Sequence, residues 1–103
     1  MIAFLYIGHE KIGEVDFSVI DESMGVIVGN LSPNDNYQKY KDSIQRQFEQ
    51  RGISNVENFN YRIILKDNTE LKSAGGIGII DCLGFDEILV ESGGIDLSTI
   101  FTN

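Results

Sequence analysis

Ile12-Gly13-Glu14-Val15-Asp16-Phe17-Ser18-Val19-Ile20 alternates. In an extended chain Val15, Phe17 and Val19 point to one side, and Glu14, Asp16 and Ser18 to the other. That is the pattern of an antiparallel strand with one face on a core and one in water. Outward from it, Ile2 to Ile7 is an apolar run that ends at Gly8-His9-Glu10-Lys11, which reads as a partner strand joined by a turn. On the other side Asp21-Glu22-Ser23 breaks the pattern, and Met24 to Leu31 reads as a third strand weakened by Gly25 and Gly29.

The period then changes. Ser32 suits an N-cap and Pro33 the first helical position, where a missing N–H costs nothing. Tyr37, Tyr40, Ile44 and Phe48 recur at helical spacing, and Gly52 is a natural stop. This predicts one amphipathic helix over 33–51, with Tyr40, Ile44 and Phe48 packed on Phe17, Val19 and the 59–65 strand and Phe48 fully buried. Phe59 to Lys66 returns to strand, Lys66-Asp67-Asn68-Thr69 is a hairpin turn, and 69–74 comes back antiparallel. Residues 77–83 and 86–91 read as two more strands. The tail from Ser92, with Gly93-Gly94, is expected to be partly loose. The order of strands, helix and strands predicts an α+β fold: a single antiparallel β-sheet of five to seven strands with one main α-helix packed on one face, in a single domain over 1–103.

Composition agrees. The chain has 103 residues, 42% hydrophobic and 23% charged, with one Pro and one Cys. A chain of this size folds without disulfides or metals. Sixteen acids against eight bases give a net charge of −8, which disfavours direct contact with nucleic acid or an anionic membrane. No apolar run approaches the roughly 20 residues of a membrane helix. No basic residue precedes the apolar start, so the reading is a first strand and a cytoplasmic protein. Asn30-Leu31-Ser32 matches a glycosylation acceptor, which a cytoplasmic chain does not use.

Chemistry-bearing motifs are few. Gly75-Gly76-Ile77-Gly78 does not continue as a dinucleotide fingerprint, because Asp81 stands where a glycine is required, and no Lys-Ser/Thr pair follows; it reads as a turn. His9 and Cys82 each stand alone, with no constellation for nucleophilic or metal chemistry. No cofactor, metal or catalytic set is expected. Charge distribution says more. Residues 73–103 contain Asp81, Asp86, Glu87, Glu91 and Asp96 and not one Lys or Arg. Such a field speeds encounter with a basic partner and rejects acidic ones.

Ile12-Gly13-Glu14-Val15-Asp16-Phe17, Asp21, Met24-Gly25-Val26, Gly29-Asn30-Leu31-Ser32-Pro33 and Tyr37 together resemble the small immunity proteins of bacterial contact-dependent growth inhibition systems. The resemblance covers roughly the first half of the chain. It implies an inhibitor, not an enzyme, that binds the basic surface of a cognate toxin domain, commonly a nuclease, and blocks its active site. The resemblance carries no residue-level motif, so the binding residues are chosen on charge. Asp86, Glu87 and Glu91 come first, flanking Ile88-Leu89-Val90, with Phe85 as an apolar contact. The wet strand face of Glu14 and Asp16 is the second surface. The free protein is expected to be monomeric. Two alternatives stay open: a small enzyme using exposed carboxylates in a pocket, and a structural homodimer joined through a sheet edge.

Overall fold

The computed structural model describes residues 1–52, 54–55, 59–82, 84 and 86–99. Strands β1 (Ile2–Ile7), β2 (Glu10–Asp21) and β3 (Val26–Pro33) come first. A 3-10 helix over Asp35–Lys39 and the helix α1 (Lys41–Arg51) follow. Then come β4 (Ser54–Asn55), β5 (Tyr61–Leu65), β6 (Glu70–Leu71), β7 (Ile77–Asp81) and β8 (Ile88–Ser92), and a short 3-10 turn over Leu97–Thr99. The strands form one sheet in the order β4-β7-β8-β3-β2-β1-β5-β6, every pairing antiparallel. Six of these strands have five residues or more; β4 and β6 are two-residue edges. The fold is the expected α+β sheet with one helix on one face.

The sheet coils. β5 and β7 touch although four strands separate them in the sheet order. An isolated bridge from Ser73 to Ile95 spans the gap. The Ser73 and Ser92 hydroxyls meet there, and Ser73 Oγ also donates to Gly93 O at 2.7 Å. The concave face therefore holds the core. Leu5, Val15, Phe17, Ile27, Ile63 and Val90, from five neighbouring strands, are all at most 3% exposed. Alternation along β2 falls as the sequence predicts: Val15 and Phe17 are buried, while Glu14, Asp16 and Ser18 are exposed.

Turn chemistry sets the hairpins. At the β2–β3 turn the Asp21 carboxylate accepts from Ser23 Oγ and Met24 N. These bonds hold it below the usual carboxylate range. Gly25 follows with φ +63°, and its carbonyl accepts from Ile95 N at 3.0 Å. The first part of the tail expected to be partly loose is pinned here, since Gly94 N donates to Met24 O and Ile95 is 5% exposed, while residues 100–103 lie outside the described residues. A glycine at 25 is what lets two backbones approach so closely. At the β5–β6 turn Asn68 takes φ 71°, and Asp67 caps Thr69 N, as the Asp-Asn pair predicts.

The helix is shorter than its apolar stripe suggests. β3 runs on to Pro33, because Ser32 and Pro33 pair with Glu14 and Gly13 of β2. Helix cannot begin while strand pairing holds the backbone extended. Asn34, not Ser32, is the cap, accepting from Asn36 N, and both Asn side chains tie the segment to Lys11 O. The 3-10 helix carries Tyr37 into the core, and α1 starts afresh after Tyr40. Gly52, with φ 82° and its N–H on Phe48 O, ends α1 as expected. α1 packs chiefly on β7 and β4, and the 3-10 helix on β2. Ile44 is fully buried, Tyr40 packs edge-on to Phe59, and Phe48 is only half-buried. Of the packing expected on Phe17, Val19 and the 59–65 strand, the contact of Tyr40 with Phe59 is present, but α1 itself packs chiefly on the β7 edge and Phe48 is not fully buried.

Candidate functional site: an acidic sheet face and the cleft at its end

The two surfaces that the sequence offers as alternatives are one. β8 pairs with β3, and β3 with β2. Of the C-terminal acids Glu91 thus shares the convex side of the sheet with the wet face of β2, whereas Asp81 is buried on the core side and Asp96 lies past β8. Glu14 stands opposite Ser32, and Asp16 opposite Asn30, which in turn pairs with Leu89. Glu91 stands opposite Val28. From these registers the Cα atoms of Asp16 and Glu91 lie about 12 Å apart, two strand spacings across and two residues along. Asp86 and Glu87 are exposed in the link that enters β8, at the Ser32–Glu14 end of the face. Phe85 lies outside the described residues.

The chain contains a second stretch without Lys or Arg, residues 12–38. Together with 73–103 it supplies the contiguous strands β7, β8 and β3 and all of β2 from Ile12 on. Ten of the sixteen acids and none of the eight bases belong to these two stretches. The bases flank these strands, and Lys11 borders Glu14, because Phe4 is the register partner of Glu14. Lys11 sits over the Phe4 ring at 4.1 Å, Arg62 pairs with Glu70 at 2.7 Å, and Lys39 pairs with Glu10 at 3.1 Å. Lys41, Arg46 and Arg51 ride on α1, on the concave side.

Several acids have a local task. Asp21 and Asp67 make turns, Asp96 binds Ser98, and Glu70 is held below the usual range by its hydrogen bond from Arg62. Asp16 accepts from the Met1 ammonium at 2.9 Å. The carboxylates of Glu14, Asp86, Glu87 and Glu91 make no hydrogen bond or ion pair among the described residues. Four of the acids without a partner among the described residues thus stand on one face and its end, while Glu22 lies at the β2–β3 turn, Asp35 in the 3-10 helix and Asp42 and Glu49 on α1. Among the acids of the face lie aliphatic side chains: Ile80 pairs with Leu89, Val28 is half-buried, and Ile20, further along toward the β2–β3 turn, is 62% exposed. Acids around an aliphatic strip form a surface that suits a protein carrying Lys and Arg.

At the same end a cleft of about 380 Å³ opens between α1 and the ends of β3, β7 and β8. Pro33 and Ile88 form apolar walls, Lys41 and Gln45 come from α1, Asp86 lines it, and so does Asp81. Asp81 is 2% exposed. Its carboxylate accepts from the Tyr37 hydroxyl at 2.5 Å and from Gln45 Nε2 at 3.2 Å. Burial, with the Asp81 carboxylate beside it, pushes the Tyr37 hydroxyl far above the ordinary phenol range, so it stays a neutral donor. The sequence names Asp81 only as one acid among many. Its single visible signal is a carboxylate closing the apolar run Ile77-Gly78-Ile79-Ile80.

His9 is exposed in the β1–β2 turn and Cys82 is half-buried just past β7. Among the described residues no three His, Cys, Asp or Glu gather as a metal site, and no helix is long and apolar enough to cross a membrane. No family model, curated protein or solved structure matches the chain.

Proposed function

We propose that this chain is an immunity protein: a cytoplasmic inhibitor that binds a cognate toxin domain, a nuclease of a contact-dependent growth inhibition system, and occludes its active site. The observation that supports this reading is the joining of two base-free stretches, 12–38 and 73–103, into one convex acidic face. A nuclease holds the phosphates of its substrate with Lys and Arg. Carboxylates presented on a rigid sheet can take the place of those phosphates. Glu14, Asp16 and Glu91 stand on paired strands, so their spacing is fixed before the partner arrives, which reduces the entropy cost of binding.

The scale is reasonable. A standard interface takes about 800 Å² from each partner. That is roughly an eighth of the 6077 Å² surface of this chain. The aliphatic side chains of Ile80, Leu89 and Val28 supply apolar contact among the acids, with Ile20 at the turn end, and the acids supply steering and register.

The experiment is a rescue. Candidate nuclease toxin domains are expressed in bacteria with and without this protein. The reading expects survival with one cognate toxin. If no basic nuclease domain is neutralised, while the purified protein hydrolyses a substrate or self-associates through a sheet edge, the reading fails.

A further inference from the structure

The cleft holds a charge that the chain does not balance. Asp81 is buried, and both of its hydrogen-bond donors, Tyr37 and Gln45, are neutral. Among the described residues it forms no ion pair. An isolated buried carboxylate is unfavourable unless a cation reaches it. A carboxylate offers about four acceptor positions, and the bonds from Tyr37 and Gln45 take one on each oxygen, leaving about two on a side chain that lines the cleft. Asp86, exposed and without a partner among the described residues, adds a second negative charge to the lining. Lys41 adds one positive charge and makes no ion pair among the described residues, so the lining they form stays net negative. Pro33 and Ile88 give apolar walls for the methylene stem of a long side chain.

We propose that the cleft is a receptor for a guanidinium side chain, an arginine that the basic partner inserts at the end of the acidic face. The planar fork of arginine matches the two remaining acceptor positions of Asp81, and arginine is the cation most readily stripped of water. The cleft opens at the ends of β3, β7 and β8 on the side of α1, so an arginine seated there belongs to a partner that reaches from the convex face round the end of the sheet. The inference rests on the reading above for the identity of the partner, but not for the chemistry of the cleft.

The test needs no toxin. The full-length protein, labelled with ¹⁵N, is titrated with N-acetyl-arginine-methylamide, and in parallel with the citrulline analogue, which has the same shape without the charge. The expected result is saturable shifts at Lys41, the Gln45 side-chain amide, Gly84 and Asp86, with a Kd on the order of 1–10 mM. Citrulline should bind at least about tenfold more weakly. Asp81→Asn keeps an acceptor for Tyr37 and removes the charge; it should abolish saturation. Asp86→Asn, on an exposed residue with no role in folding, should weaken binding several-fold even if Asp81→Asn folds poorly. Lys41→Met should tighten it. Equal binding of citrulline, shifts spread outside the cleft, binding unchanged in both Asp variants, or weakening by Lys41→Met would each overturn the proposal. If arginine binds and no toxin is neutralised, the immunity reading fails while the cleft stands. If a toxin is neutralised and arginine does not bind, the cleft fails alone.

Discussion

The Tyr37 hydroxyl donates a 2.5 Å hydrogen bond to Asp81 Oδ2, linking the 3-10 helix to the end of β7 across 44 residues of chain. Both residues are buried, Tyr37 completely. This bond and the one from Gln45 fix the end of β7 under α1 and shape the floor of the cleft. Tyr37→Phe keeps the ring and leaves one carboxylate oxygen without its donor. The expected loss is about 1.5–3 kcal/mol of stability, the range for hydrogen bonds to charged groups. Urea denaturation of the two proteins measures it, and a loss below about 0.5 kcal/mol would mean that the bond is weak in solution.

Burial of the Tyr37 hydroxyl, with the Asp81 carboxylate beside it, sets an alkaline limit. The Tyr37 hydroxyl is raised in the folded protein above its unfolded value near 10. A raised group contributes stability that is complete below the unfolded value and is lost as pH rises past it, because the unfolded chain then releases its proton first. Wild type should lose up to about 1.4 kcal/mol per pH unit above pH 10 from this residue. Tyr37→Phe lacks that loss. The stability gap between the two proteins should be constant up to about pH 9 and shrink above 10, as read from denaturation midpoints at each pH.

How much of this was legible in the sequence depends on distance along the chain. The strand at Val15, Phe17 and Val19, the Asp67-Asn68 turn and the Gly52 stop rest on residues a few positions apart, and each is where the local pattern puts it. The break at Tyr40 was not legible, because the pairing that keeps Ser32 and Pro33 extended comes from β2. The burial of Asp81 depends on a tyrosine from another element. The union of the β2 face with Glu91 depends on β8 pairing with β3, a non-local choice that nothing in either segment announces.

The corrected helix makes its own prediction. Ile44 is fully buried, whereas Phe48 is half-buried. Ile44→Ala should cost about 2–5 kcal/mol. Phe48→Ala should cost less than Ile44→Ala, and less than the roughly 3–5 kcal/mol of a fully buried phenylalanine. Thermal or urea denaturation of the pair decides it.

Gly25 and Gly8 form a matched pair. Both have positive φ, +63° and +60°. A Cβ at Gly8 meets nothing within 4 Å, but one at Gly25 would stand 2.3 Å from Ile95 O. Gly8→Ala should cost about 1–2 kcal/mol for the left-handed backbone alone. Gly25→Ala should cost at least about 1–3 kcal/mol more, because the docked tail must move. Amide exchange at Ile95, whose N–H is held by Gly25 O, should rise in Gly25→Ala and not in Gly8→Ala.

The most direct measurement is the association rate with the toxin domain that this protein neutralises, for wild type and for Glu14→Lys/Asp16→Lys/Glu91→Lys, at low salt and at about 0.15 M, where the Debye length is near 8 Å. The acidic-face account predicts that the triple variant associates at least about tenfold more slowly at low salt, with a smaller gap at the higher salt. It predicts that Arg46→Glu/Arg51→Glu, on the helix side, binds like wild type or faster. Wild-type association by the triple variant, together with loss of binding on reversing Arg46 and Arg51, would contradict it.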